Sequence, residues 1–252
     1  MFSETHCHLK DDGSNNLERV VNQARRAGVE LVLNAGSNPE SSRQAILVAR
    51  KYSIVRACVG LHPWNSNEYS SEALSRLKAL AGDETVVAIS EIGLDYAGRR
   101  TPDGKFTNEY VDKQIQRTAF REQLKMAVEL GLPVIVHDRT TDWEVLDTIE
   151  KEGNIESGAA IHGFSKGLEY AKRCVEMGIY LSIGLRTVTA PMNADLKEAM
   201  KQIPVQWLLT ETDSGNPEGI LTVAEKIANL RGVSRDDIGQ AATENLRRFV
   251  QR

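Results

Sequence analysis

Short runs of apolar, often β-branched residues alternate along the chain with longer stretches in which apolar positions recur every three or four residues. The runs fall near 2–8, 30–36, 54–60, 85–91, 132–137, 158–163, 178–184 and 206–212; ELVLNAG, SIVRACVG, TVVAISEIG and LPVIVH are examples. Most are continuously apolar, which predicts strands covered on both faces in a parallel sheet. The amphipathic stretches between them, near 17–27, 39–52, 113–130, 168–177 and 195–202, predict helices. Gly28, Gly131 and Gly178 each stand between a helical pattern and a strand, where a helix-ending glycine belongs. The stretch 234–251 predicts a further helix, with Ser234 as its N-cap and Asp237 in an acidic first turn. About eight strand–helix units in roughly 250 residues is the arithmetic of an α/β fold of the TIM (β/α)8 barrel type with an additional C-terminal helix. An open doubly wound sheet is the competitor, but it commonly has fewer strands, and no GxGxxG follows the first strand.

Composition narrows the picture. The 252 residues, 41% of them hydrophobic, can bury a sizeable core, and the absence of any linker-like stretch predicts one domain over 1–252. A net charge of −4 argues against a broadly basic nucleic-acid surface while leaving room for a small basic cleft. Cys7, Cys58 and Cys174 are odd in number and form no CxxC pair, which suits a reducing compartment. There is neither a signal-peptide pattern nor an apolar run of about 18 residues, so a cytoplasmic protein with no membrane contact is expected. Nothing points to an obligate protein partner.

The chemistry-bearing residues sit at one place in this rhythm. His6 and His8 close the first strand, and residues two apart on a strand face the same way. His62 follows the third strand, Glu91 ends the fourth, His137 the fifth, His162 the sixth, and Asp213 follows the eighth. In a (β/α)8 barrel these strand ends converge on one mouth, where such enzymes keep their active sites. One histidine alone is more often structural. All five histidines of the chain gathered with a Glu and an Asp point instead to divalent metal. Four histidines and two acids exceed the needs of one tetrahedral ion and match two ions sharing a carboxylate.

The segments THCHL, SEIGLDY, PVIVHDR, IHGFS and LLTETDS, in this order, resemble the TatD family of metal-dependent hydrolases, as does the closing VAEKIANLRGVSRDDIGQAATENLRRF. The resemblance covers nearly the whole chain. It implies an amidohydrolase-type TIM barrel, two divalent metal ions (Mg, Mn or Zn) and nuclease activity on DNA, with single strands or 3′ ends favoured. It assigns His6, His8 and Asp213 to one metal and His137 and His162 to the other, with Glu91 bridging. Two such ions about 3.5–4 Å apart can clamp a phosphodiester and lower the pKa of water toward neutrality. Asp213 is then either the base that takes the proton of that water or purely a ligand, and Glu91 shares the catalytic assignment.

Further residues surround this set. Glu211, two before Asp213, is read as the partner of a ligand histidine, with a structural role at the strand end as the alternative. His62 is read as a phosphate contact, since six other groups already serve the metals. Arg139 could grip a phosphate oxygen, or pair with Asp138 or Asp142 at the surface. Asp95 could cap a turn or orient a ligand, the turn cap being the preferred reading, and Trp64 either stacks on a base or packs locally. Three departures from the family pattern stand out: Glu4 where Asp is usual, Lys166 in HGFSK where glycine is usual (a lysine near the mouth that could add a phosphate contact or block a close backbone approach), and a short GNPEG after ETDS. The same activated water would also serve hydrolysis of a small ester, lactone, amide or aminoacyl-nucleic-acid bond. A barrel that binds without turnover is the remaining alternative, which the intact ligand set argues against.

Overall fold

The computed structural model describes residues 1–11, 13, 16–99, 101, 105–152 and 156–251. Eight parallel strands, β1 (Phe2–Cys7), β2 (Val29–Ala35), β3 (Val55–Val59), β4 (Val86–Asp95), β5 (Val134–Arg139), β6 (Ala159–His162), β7 (Ile179–Gly184) and β8 (Leu208–Glu211), pair in sequential order. Helices α1 (Asn16–Arg26), α2 (Pro39–Lys51), α3 (Ser71–Ala81), α4 (Lys113–Leu130), α5 (Glu144–Glu152), α6 (Leu168–Glu176), α7 (Leu185–Thr189), α8 (Ala194–Gln202) and α9 (Ile220–Arg231) alternate with them, and α10 (Arg235–Phe249) ends the fold. The expected TIM barrel is what forms. Every residue of β1, β6, β7 and β8 is buried, as continuous apolar runs require when helices cover one face and the barrel interior the other.

Two caps behave as the sequence predicts. Gly131 ends α4 in the left-handed conformation (φ 61°), which a side chain disfavours. The Ser234 hydroxyl accepts the Asp237 N–H and the Asp237 carboxylate accepts the Ser234 N–H, starting α10. Leu246 and Phe249 of α10 pack with Leu33, Ile135, Tyr180 and Leu209 of the strands. Asn245 donates to the Val205 and Leu208 carbonyls at the start of β8. Helix α10 therefore covers the end of the barrel opposite the histidines.

The fourth strand departs from expectation. It continues four residues past Glu91, because Ile92, Gly93, Leu94 and Asp95 pair with Val136, His137, Asp138 and Arg139. The register shifts between Ile89 and Ile92, so Glu91 lies within an irregular strand rather than at its end. Gly93 is required here: a Cβ would lie 2.0 Å from the His137 carbonyl oxygen. Among the described residues, no helix is long and apolar enough to cross a membrane.

Candidate active site

The seam between β8 and β1 is built by the site residues themselves. The Asp213 N–H donates to the His6 carbonyl at 3.0 Å, and the His8 N–H to the Ser214 carbonyl at 2.9 Å. Glu4 lies buried across this seam, with Oε1 accepting the N–H groups of His6 and Thr212, both at 3.0 Å. It thus holds the backbone of His6, and no bond from it reaches the imidazole. Asp213 adopts a left-handed backbone (φ 50°), a conformation that Asp tolerates better than most residues. Its carboxylate points at the histidines, with Oδ1 3.4 Å from His8 Nε2 and 4.0 Å from His6 Nε2.

Glu91 is the centre of the cluster. Its Oε1 lies 2.7 Å from His162 Nε2, 2.8 Å from His137 Nδ1 and 3.3 Å from His62 Nε2. Its Oε2 lies 3.3 Å from His6 Nε2 and 3.9 Å from His8 Nε2. All five histidines therefore meet one carboxylate.

The far nitrogen of each imidazole decides what the near one can do, because a neutral ring has one donor and one acceptor. His8 Nδ1 faces the Ala35 carbonyl at 3.2 Å, His162 Nδ1 faces Glu211 Oε1 at 3.2 Å, and His137 Nε2 faces Asp95 Oδ2 at 2.9 Å. These partners only accept, so the hydrogens sit there and the lone pairs of His8 Nε2, His162 Nε2 and His137 Nδ1 turn toward Glu91. Both nitrogens of His6 are buried without a hydrogen-bond partner. His137 Nδ1 and His162 Nε2 are only 3.0 Å apart. Acceptors so crowded repel one another unless a cation takes their lone pairs, and imidazole mixed with carboxylate is a donor set for divalent metal. The residues present fit such an ion. His62 is the opposite case: its Nδ1 accepts the Trp64 N–H at 2.9 Å, so its Nε2 carries the hydrogen and is a donor.

Electrostatics follow from this packing. Burial alone would raise the Glu91 carboxyl, but His62, His162 and His6 outweigh it and hold it well below the usual carboxylate range. Asp213 is likewise lowered, burial being overcome by the His8 hydrogen bond and the charges of His162 and His6. Burial lowers His6 and His62. Against burial, Glu91 and Glu211 raise His162 well above its ordinary value, and Asp213 and Glu91 raise His8, so the Nε2 lone pairs of both rings are those from which a divalent cation would displace a proton. Glu211 also accepts the Gly163 N–H at 2.7 Å, which fixes it beside His162. Asp95 does two jobs: Oδ1 accepts the N–H groups of Ala97 and Gly98, capping the turn as expected, while Oδ2 orients His137. Gln116, buried in α4, holds the Asp95 backbone at both its N–H and its carbonyl.

Above the cluster lies a cleft of about 580 Å³. Arg139 lines it and donates to the carbonyls of Asp138 and Gly163; it makes no ion pair with Asp138 or Asp142, so its surface-pair alternative is not what forms. Lys166 is no mouth cation. Its Nζ pairs with Asp138 at 3.0 Å and donates to the Thr140 carbonyl at 2.7 Å, and Asp138 also accepts the Tyr170 hydroxyl. Trp64 meets His62 edge-on with Arg99 over its ring, so it packs locally while still facing the cleft. Sequence reading missed Arg99 and Arg186, both cleft residues. The rule that selected Arg139, a cation just beyond a strand end, would have found Arg186 two residues after β7. In the short segment after Asp213, Asn216 caps a single turn, Pro217–Gly219, that leads into α9.

Comparison with known proteins places this geometry among relatives. A family profile described as TatD related DNase matches residues 4–251. YabD of Bacillus subtilis, described as an uncharacterized metal-dependent hydrolase, is 32% identical over 264 residues, covering 100% of this chain and 99% of its own. A protein of Citrobacter koseri named 3'-5' ssDNA/RNA exonuclease TatD is 33% identical over 195 residues, covering 77% of this chain and 71% of its own. The crystal structure of YjjV, a TatD homologue from Escherichia coli, superposes with a TM-score of 0.86 at 28% identity, covering 99% of this chain and 97% of that one.

Proposed function

Because the chain belongs to the family of TatD-related DNases and is a metal-dependent hydrolase, we propose that it cleaves phosphodiester bonds in DNA, with single strands and 3′ ends favoured. The observation that supports this best is the floor of the cleft. Lone pairs of His8, His137 and His162, and the unpartnered His6, converge on Glu91 beneath Arg99, Arg139 and Arg186. In a chain of net charge −4, three guanidinium groups around one cleft suit a phosphate rather than a neutral ester.

His6, His8 and Asp213 would hold one divalent ion (Mg, Mn or Zn), His137 and His162 a second, with Glu91 between them. Bound there, such ions supply Lewis acidity and bring the pKa of water toward neutrality. Glu211 and Asp95, by accepting the far N–H of His162 and His137, keep their metal-facing nitrogens free. The Asp213 side chain, 32% exposed and held ionised, opens toward the cleft and is placed to accept the proton of the attacking water. The Arg139 fork lines the cleft as a donor to phosphate oxygens, and the His62 Nε2–H, 3.3 Å from Glu91 Oε1, would serve a phosphate by turning from that carboxylate. Preference for single strands agrees with Trp64 and Phe106 along the cleft, since bases reach such rings only when unpaired. The 3′ preference is carried over from the relatives named exonucleases.

The test uses purified protein, each of the three metals in turn, and short single-stranded oligonucleotides labelled at either end. Stepwise release of nucleotides from the 3′ end, abolished by chelator and restored by metal, is expected. Metal-dependent hydrolysis of small esters or lactones without any cleavage of oligonucleotides would overturn the nuclease reading.

A further inference from the structure

We propose that the mouth carries a second lobe that binds the nucleoside on the far side of the scissile phosphate, so that a dinucleotide is the smallest fully bound substrate. This rests on the phosphodiesterase reading above. A cavity of about 510 Å³ adjoins the cleft and lies beyond the ends of β5 to β8, within the size range of small-ligand sites. Arg139, Arg186, Phe106 and Asp213 line both spaces and form the waist between them.

The chemistry changes across that waist. The cations lie at the waist and in the first cleft, while the second lobe is lined by Thr141, Ser165, Asn193, Pro191, Met192 and Leu196. Such a lining suits a neutral ligand with apolar area and a few hydrogen-bonding groups. It suits a second phosphate poorly. Two observations identify acceptor and donor positions. The exposed hydroxyls of Thr141 and Ser165 in this lining offer acceptors to a ligand N–H or O–H. Asn193 uses Oδ1 to cap α8 and keeps its NH2 for donation. A nucleobase with its sugar meets these demands, with the phosphate at the arginines of the waist.

The test reads binding first, in chelator, so that it does not depend on turnover. Dithymidine monophosphate and the methyl ester of thymidine 5′-phosphate carry the same single charge but differ by one nucleoside. Calorimetry should give about tenfold tighter binding of the dinucleoside, the weight of one well-held base. Ser165→Leu, alone and together with Thr141→Leu, intrudes on the second lobe and should bring the two affinities within about twofold. Their unfolding temperatures confirm that the variants fold, since Ser165 and Thr141 are exposed. Equal wild-type affinities, no binding of either compound, or a preference that survives both substitutions would overturn the second lobe. Cleavage of oligonucleotides with no such preference would leave the nuclease reading standing. A preference that the substitutions erase, in a protein that cleaves no phosphodiester with any metal, would keep the lobe and overturn the nuclease reading.

Discussion

Asp95→Asn should damage the metal centre without touching a proposed ligand. In the wild type, Oδ1 accepts the Ala97 and Gly98 N–H groups at 3.0 and 2.8 Å, and Oδ2 accepts from His137 Nε2 at 2.9 Å. The asparagine oxygen must stay with the two backbone donors, because the flipped amide would set NH2 against both. Its NH2 then faces His137 Nε2. To accept that hydrogen, the imidazole must move its own proton to Nδ1, the nitrogen 2.8 Å from Glu91 Oε1. A lone pair aimed at the centre becomes an N–H. Metal affinity should fall about 10- to 100-fold, or about 1.4–2.7 kcal/mol. Asp95→Ala is the control. It abandons the turn and should cost roughly 1–3 kcal/mol of stability, yet it leaves the ring free to keep its proton on Nε2. Asparagine should therefore be the worse variant for metal and the better one for folding. Metal titration of chelated protein by calorimetry, beside thermal unfolding, measures both. Metal affinity of Asp95→Asn within twofold of wild type, or no lower than that of Asp95→Ala, would refute the tautomer argument.

Other perturbations test other parts of the site. Asp213→Asn keeps the size and one oxygen but cannot take a proton, and at saturating metal kcat should fall roughly 10²- to 10⁴-fold; a near-normal kcat would remove the base assignment. Arg139→Ala should raise KM for oligonucleotides and reduce the slope of log KM against log salt by about one, as loss of one phosphate contact does; an unchanged slope would exclude that contact. Burial raises the Glu4 carboxyl well above its ordinary value of 4.5, so above that pH the folded protein holds a proton that the unfolded chain releases. Stability from this group is thus complete below about pH 4.5 and declines as pH rises toward the raised value. Glu4→Gln retains an acceptor for the His6 and Thr212 amides and cannot ionise; in chelator at about pH 8 it should unfold no lower than wild type and show a flatter pH dependence. A steeper one would refute the account of Glu4.

The barrel was legible in the sequence because strands covered on both faces need continuous apolar runs, and helices between them need a 3.6-residue period. The histidines could be placed at one mouth because parallel strands in a barrel end on the same side, so position along the chain fixes position in space. The same logic reached Glu211 and Asp213, which stand at or just after the end of β8. What the sequence could not carry was pairing. The prolongation of β4 to Asp95 depends on hydrogen bonds to β5, and only that extension brings Asp95 to His137. The tautomers depend on what lies behind each ring, on Ala35, Asp95, Glu211 and the Trp64 amide, groups up to 49 residues away along the chain. Lys166 and Arg139 looked alike as cations near strand ends, yet Asp138 neutralises the first while carbonyls leave the second with its charge toward the cleft. Composition and period set the frame because hydrophobic burial is governed by each residue's own surface. The donor and acceptor roles inside the mouth are set by neighbours, and only the folded chain chooses those.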